Sequence, residues 1–132
     1  MTESEALSHG RVARILERFA DLRLLVLGDV MLDEYLNGRV ERTSPEAPVP
    51  VVKAEGETSS LGGAANVAHL AAVLGAKAQL FGVVGDDAAG ERFRTQCEAA
   101  GIDASNVLAV DGRPTTRKVR VLAQHQHVLR VD

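Results

Sequence analysis

The spacing of apolar residues changes along the first part of the chain. Val12, Ile15, Leu16 and Phe19 recur at helical spacing and predict one apolar face of an N-terminal helix. Residues 24–27 then form an unbroken apolar run that ends at a glycine. A short run of this kind predicts a strand that is buried on both faces, as strands of parallel sheets are.

The segment 35–61 departs from this pattern. Short apolar stretches alternate there with Pro45, Pro48 and Pro50. Because proline cannot donate a hydrogen bond to a neighbouring strand, the segment is predicted to be an edge or an excursion rather than a central strand. We interpret it as a small, strand-rich flap that projects from the main sheet.

A second helix is predicted directly after a glycine pair. Val67, Leu70, Ala71 and Leu74 recur at helical spacing and predict its apolar face. Gly75 follows at the position where a left-handed C-cap belongs. The segment therefore predicts a well-delimited helix.

A strand and a third helix come next. Residues 78–84 predict another buried strand, and residues 85–87 supply a helix cap. Phe93 and Cys97 share one face of the predicted helix, which ends at Gly101. This part of the chain therefore repeats the strand-then-helix order.

The last third of the chain predicts strands at 107–110, 117–123 and 126–131, the last two as a hairpin. The order of strand, flap, helix, strand, helix and strand is typical of an α/β architecture. About three core strands are few for an open α/β sheet, and the chain stops at the middle or end of a predicted strand, with no terminal helix after it. We therefore expect an incomplete fold, the N-terminal part of a longer protein.

Composition and charge narrow the function classes. The 132 residues carry a net charge of -3 and 3% aromatic residues, which argues against a nucleic-acid partner. No apolar run approaches the roughly 18 residues that a membrane helix needs, and residues 1–9 lack the features of a signal peptide. The single cysteine, Cys97, allows no internal disulfide and fits a reducing cytoplasm.

Two carboxylates directly follow the first predicted strand. Asp29 and Asp33 lie four residues apart, beyond the carboxyl end of that strand, where open α/β sheets bind ligands. Ionised carboxylates accept hydrogen bonds from sugar hydroxyls, so the pair suits a polyhydroxyl ligand. The alternative is a turn and helix cap, in which Asp is also common.

The glycine pair forms a second candidate site. Gly62 and Gly63 let a ligand approach the backbone, and the helix start after them offers free N–H donors. Asn66, in the first helical turn, can both donate and accept hydrogen bonds. A tight strand-to-helix turn without a ligand explains the same residues.

Cations form a third candidate. Lys118 and Arg120 share one face of a predicted strand, and such a pair suits a phosphate. A solvated strand face is the alternative. His125 and His127 also share a strand face, but no third ligand is evident in the sequence, so we predict no metal site.

The spacing around the glycine pair matches a known family. Gly-Gly-Ala-Ala-Asn-Val-Ala at 62–68, six residues to Gly75 and nine more to Gly85 resemble the N-terminal signature of the ribokinase-like (PfkB) sugar kinases. The segments 28–33, 43–52 and 116–132 narrow the resemblance to the D-glycero-D-manno-heptose 7-phosphate kinases. The chain departs from them where Gln-His-Gln-His at 124–127 replaces a glutamine-rich run.

This resemblance implies an architecture and a set of binding roles. The fold would be a ribokinase-like three-layer α/β fold with a β flap as lid, incomplete in this chain. Residues 1–22 would be a tail and helix, and 23–132 the N-terminal part of the kinase domain, with the flap at about 35–61. Asp33 would bind sugar hydroxyls, with Gly62, Gly63 and Asn66 lining the same pocket, while Lys118 and Arg120 would bind the 7-phosphate.

The resemblance also implies an activity. The whole protein would be a cytoplasmic kinase that transfers the ATP γ-phosphate, with Mg²⁺, to O1 of the heptose 7-phosphate in lipopolysaccharide precursor synthesis. It would form a homodimer through the flap. The family's catalytic Gly-Ala-Gly-Asp segment is absent from this sequence. We therefore assign no catalytic residue, place the ATP and Mg²⁺ sites mostly outside this chain, and expect the chain alone to be inactive.

Two alternatives remain open at this point. The same fold serves kinases of other sugars or nucleosides. A non-catalytic module that binds a sugar phosphate or mediates dimerisation also fits the residues.

Overall fold

The chain folds around two β-sheets. The computed structural model describes residues 8–124 and 126–132. The elements in chain order are α1 (His9–Glu17), a 3-10 helix (Arg18–Asp21), β1 (Arg23–Leu27), β2 (Val30–Thr43), β3 (Pro50–Gly63), α2 (Ala64–Val73), β4 (Lys77–Gly85), α3 (Ala88–Ala99), β5 (Asp103–Val110), β6 (Arg117–Ala123) and β7 (Gln126–Val131). One sheet has the strand order β1-β4-β5 and the other β3-β2-β6-β7.

The three-stranded sheet is parallel and carries the helices. β4 pairs in parallel with β1 on one side and with β5 on the other. Leu80 and Val84 of β4 pack with Phe93 and Cys97 of α3 in the buried core. The predicted α/β organisation is therefore confirmed. Burial raises the pKa of the Cys97 thiol to about 11, so this cysteine serves packing rather than thiolate chemistry.

The buried face of α2 differs from the prediction. Ala65, Ala68 and Ala71 are buried, whereas Val67 and Leu70 are exposed. The sequence pattern is apolar all round this helix, so spacing alone does not identify the packed face. Small side chains let α2 lie close to the strands, and this leaves the larger apolar residues outside.

The predictions for β1 and α1 were also partly wrong. Leu25 and Leu27 are exposed, whereas Val26 between them points to the opposite face of β1 and packs against the core, so this strand is covered on one face. The apolar residues that α1 was predicted to bury, among them Ile15 and Leu16, are exposed too. Phe19, in the 3-10 helix, is the member of that predicted face that packs against the core.

The predicted flap is part of a larger sheet. β2 and β3 are 14 residues each and pair antiparallel along their whole length, with two register shifts. Pro45 and Pro48 lie in the turn, and Pro50 begins β3 opposite Thr43, so the prolines avoid the interior of the ladder. β2 is not an edge strand, because it also pairs in parallel with β6.

The C-terminal hairpin is confirmed. β6 and β7 have the predicted bounds and pair antiparallel. Gln124 in the connecting turn has a φ of 50°, in the left-handed region. His125 lies outside the described residues. Among the described helices, none is long and apolar enough to cross a membrane.

Candidate functional site

The central strand β2 presents its residues alternately to two faces of the four-stranded sheet. Leu32 and Glu34 are buried on one face, whereas Asp33 and Tyr35 point to the other and are half-buried. In the ladder, Asp33 lies opposite Ser60 of β3 and opposite Lys118 of β6. The face that carries Asp33 is called the open face below, and the face that carries Glu34 the packed face.

An ion pair dominates the open face. Arg120 Nη1 donates to Asp33 Oδ1 at 2.5 Å, and each of the two side chains is 20% exposed. The Arg120 guanidinium carbon also lies 5.2 Å from the centre of the Tyr35 ring, within cation–π range. The hydrogen bond to Asp33 raises the pKa of Arg120 above its ordinary value.

Lys118 is the neighbouring cation. It stands directly opposite Asp33 in the parallel ladder. Within the part of the chain that the structure describes, its ammonium forms no ion pair, in contrast to Arg120. The structure therefore brings Asp33, Lys118 and Arg120 together, and Asp33 lies in a strand rather than in the alternative turn and helix cap.

Gly62 and Gly63 support this face from β3. A Cβ at Gly62 would lie 2.5 Å from Asp33 Oδ2 and 2.7 Å from Met31 Cγ, so the Asp33 carboxylate rests against bare backbone. Gly63 has a φ of 59°, and a Cβ there would collide with the Asp29 carbonyl. Both positions therefore favour glycine for a steric reason within the chain itself.

Asp29 lies at the junction between β1 and β2. Its backbone carbonyl accepts a hydrogen bond of 2.9 Å from the Ala64 N–H at the start of α2. Its side chain is exposed. Asp29 therefore joins the strand junction to the glycine turn, and its carboxylate is open to solvent.

Asn66 lies in a groove between β3, α2 and α3. The groove has a volume of about 390 Å³ and is lined by Ser59, Ser60, Leu61, Asn66, His69, Gln96, Ala99 and Ala100. Ser60, the ladder partner of Asp33, connects this groove with the open face. Nδ1 of His69 is buried there without a hydrogen-bond partner among the described residues. Asn66 thus lies beside the Asp33 neighbourhood rather than within the ion pair.

The packed face holds a second carboxylate, which the sequence analysis missed. Glu34 is 2% exposed. Its Oε1 accepts from Arg92 Nη2 at 2.7 Å, and its Oε2 accepts from Arg117 Nη2 at 2.6 Å and Nε at 2.8 Å. The hydrogen bond to Glu34 raises the pKa of Arg117. An acidic residue at an inward position of an alternating strand is the signal that points to such a pair.

A carboxylate at the start of α3 fixes the loop that leads to β6. Asp87 Oδ1 accepts from the Gly90 N–H and the Thr115 hydroxyl, both at 2.7 Å, and Oδ2 accepts from the Thr115 N–H at 2.8 Å. These hydrogen bonds, the Thr115 N–H first, lower the pKa of Asp87 to about 2. The predicted cap is confirmed, while the role of buried Thr115 was not predicted. The contact anchors the chain two residues before β6 and so helps to place Lys118.

Comparison with known proteins identifies the family of this chain. The family model for pfkB family carbohydrate kinases matches residues 21–131. The chain belongs to the pfkB carbohydrate kinase family. The match begins after α1 and includes both sheets and all seven predicted site residues.

Curated relatives of this pfkB family chain are closely similar in sequence. It is 53% identical over 110 residues to the bifunctional protein HldE of Helicobacter pylori, an alignment that covers 83% of this chain and 24% of the relative. It is 50% identical over 115 residues to the bifunctional protein HldE of Pseudomonas aeruginosa, covering 87% and 24%. The chain therefore spans about a quarter of the length of these relatives.

Solved structures confirm the ribokinase-like α/β fold. A ribokinase from Cryptococcus neoformans in complex with ADP superposes with a TM-score of 0.61 at 28% identity, covering 83% of this chain and 33% of that one. An Arabidopsis thaliana ribokinase complexed with ribose and ATP gives a TM-score of 0.63 at 23% identity, covering 83% and 35%. The fold of this pfkB family chain thus corresponds to about a third of a ribokinase.

Proposed function

We propose that this chain forms the sugar-binding part of an ATP-dependent kinase that phosphorylates O1 of D-glycero-D-manno-heptose 7-phosphate. The observation that carries the proposal is the open face, where the carboxylate of Asp33 lies beside Lys118 and Arg120. A ligand with both hydroxyls and a phosphate matches this juxtaposition of an anion and two cations. Membership of the pfkB family and the similarity to HldE proteins support it.

Each residue has a defined role in the proposal. Asp33 accepts hydrogen bonds from sugar hydroxyls, and Gly62 and Gly63 line the same pocket, where Gly62 leaves room for the Asp33 carboxylate. Lys118 and Arg120 bind the 7-phosphate. Asp29, in the junction between β1 and β2, and Asn66, in α2, complete the sugar pocket.

The phosphoryl donor in the proposal is ATP, with Mg²⁺. Two ribokinase neighbours were solved with ADP or ATP, which supports this choice. In the described ranges 8–124 and 126–132, no group of three or more His, Cys, Asp or Glu side chains is placed to hold a metal ion. We place the ATP and Mg²⁺ sites mostly outside this chain, as the resemblance to the kinase family implies. When bound, ATP supplies the γ-phosphate that O1 of the sugar receives.

The four-stranded sheet serves as the lid. A closed lid excludes water, which would otherwise compete with the sugar for the phosphoryl group. β3 lies at one edge of this sheet, and an unpaired edge invites a second strand. We include in the proposal a homodimer that pairs through the flap and a cytoplasmic role in lipopolysaccharide precursor synthesis.

A kinase assay of the full-length gene product tests the proposal. We expect phosphorylation of the heptose 7-phosphate, and expect Asp33→Ala and Asn66→Ala to lose most of it. Arg39→Ala, which removes an exposed cation of the same hairpin, is the control and should retain it. Near-parental kcat/KM in both site variants would refute the assignment of the pocket.

The phosphate site has its own discriminating test. Replacing both Lys118 and Arg120 by Met should raise KM for the phosphorylated heptose far more than KM for the unphosphorylated sugar. An unchanged ratio of the two KM values would favour a kinase of another sugar or of a nucleoside. Binding of the sugar phosphate without any phosphorylation would favour the non-catalytic module.

A further inference from the structure

The Asp33–Arg120 ion pair has a consequence for which ligands the open face accepts. We propose that Asp33 withholds the Arg120 guanidinium from ligands that bring a phosphate without hydroxyls, so that the site selects molecules carrying both groups. This inference deepens the proposed function, and rests on it for the identity of the sugar. The existence of the ion pair does not depend on the proposed function, because it follows from the positions of the two side chains.

The pair is held firmly enough to compete with a ligand. Both side chains are 20% exposed, whereas the Arg39–Glu55 pair of the same hairpin is 56% and 45% exposed. Partial burial reduces screening by water and salt, so the attraction is stronger than in an exposed pair. The Tyr35 ring beside the guanidinium further restricts its movement.

The charges around Arg120 explain the selectivity. A free phosphate meets the ammonium of Lys118, but the charge of Arg120 is already balanced by Asp33. Binding to Arg120 then requires the phosphate to approach the Asp33 carboxylate, which repels it. Glu34, the neighbouring carboxylate of β2, cannot replace Asp33 as the partner of Arg120, because it points to the packed face and is paired with Arg92 and Arg117.

A ligand with both groups avoids this penalty. Its hydroxyls donate to Asp33 while its phosphate accepts from Arg120 and Lys118, so every charge keeps a partner. Arg120 donates to Asp33 through Nη1, and a guanidinium has further N–H groups for a phosphate. The hydroxyl end and the phosphate end of such a ligand therefore bind cooperatively.

Titration with methyl phosphate, whose dianion carries no O–H group, tests this proposal on the full-length gene product. We expect Asp33→Asn to bind methyl phosphate about tenfold more tightly than the parent, because the guanidinium is released. Arg120→Met should change phosphate affinity less than about twofold in the parent. In the Asp33→Asn background the same change should abolish the gain.

Asp132→Asn is the matched control. Asp132 is paired with Arg130 and lies close enough to influence the charge of Arg120, without a hydrogen bond to it. The Asp132→Asn substitution removes one negative charge, as Asp33→Asn does, and we expect it to change phosphate affinity by less than about twofold. An equal gain in both variants, or a gain that survives Arg120→Met, would overturn the proposal. If Asp33→Asn folds poorly, Asp33→Ser carries the same test.

The outcome is independent of the kinase assignment. A gain in phosphate affinity that requires Arg120 supports the ion-pair mechanism even if the heptose 7-phosphate is not phosphorylated. Conversely, heptose 7-phosphate phosphorylation without that gain refutes the mechanism and leaves the proposed function standing.

Discussion

The two faces of β2 carry similar ion pairs in different surroundings. On the open face, Asp33 has one arginine partner, and both side chains keep a fifth of their surface in solvent. On the packed face, Glu34 is almost fully buried and has two, Arg92 from α3 and Arg117 from β6. Neighbouring residues of one strand thus form the same kind of ion pair at different depths of burial.

Burial and the number of partners explain the difference. Removing one partner of a buried pair leaves a charge or polar group that water cannot reach, so a buried pair is costly to break. A half-buried pair can exchange partners, because a ligand can replace one of them. We infer that Glu34 fixes the four-stranded sheet against α3, whereas Asp33 is available for binding.

The largest expected effect comes from the packed face. Glu34→Gln should lower the free energy of unfolding by about 3 kcal/mol, because the neutral amide no longer balances two arginines. Asp33→Asn, the equivalent change on the open face, should cost less than about 1 kcal/mol. Urea unfolding of both variants measures the contrast. Equal losses would show that the two faces do not differ in the way proposed.

A smaller effect is expected where the open face rests on β3. Gly62→Ala places a methyl group against the Asp33 carboxylate and should cost about 1–3 kcal/mol of stability through overpacking. It should also weaken binding of the heptose 7-phosphate. Gly56→Ala, on the same strand with nothing within 4 Å of the added Cβ, is the control and should leave that binding unchanged. Thermal unfolding and calorimetric titration distinguish the variants.

A third carboxylate, Asp87, shows what hydrogen bonds from neutral groups contribute without an ion pair. Asp87 is held by neutral donors, and its pKa is lowered from 3.8 to about 2. A lowered pKa stabilises the fold above pH 3.8, and this contribution is lost as the pH falls through about 2. Asp87→Asn should therefore flatten the pH dependence of the unfolding free energy between these values. Asp111→Asn, an exposed carboxylate in the loop between β5 and β6, is the charge-matched control.

The smallest effect is expected at the exposed pair of the hairpin. Arg39 Nε and Glu55 Oε1 are 2.5 Å apart, as close as the atoms of the Asp33–Arg120 pair. Because both side chains are largely in solvent, Arg39→Ala should change stability by less than about 0.5 kcal/mol. A double-mutant cycle with Glu55→Ala measures the coupling. A coupling as large as the stability loss expected for Glu34→Gln would show that the distance between the atoms, rather than their burial, decides the strength of an ion pair.

Local signals predicted much of the α/β layer. Asp87 caps α3 as expected, and Gly75 and Gly101 adopt the positive φ that their helix ends require. The hairpin of β6 and β7 also follows from alternation and a turn. In each case the deciding interactions lie within a few residues of one another along the chain.

Long-range pairing was not predictable in the same way. Asp33 meets Arg120 across 87 positions, and Glu34 meets Arg117 across 83. The prolines suggested an edge segment, yet β2 gains a second neighbour in β6. No local pattern specifies which distant strand fills that position.

The sequence by itself determined the residue types at the candidate site: carboxylates after the first strand, a glycine pair before a helix, and two cations on one strand face. It also determined the helix ends, because caps and positive φ angles are local properties. Only the tertiary structure decided which of these groups meet. The parallel register of β2 and β6 places Asp33 with Arg120 on one face and Glu34 with Arg117 on the other, and a shift by one residue would exchange the two faces.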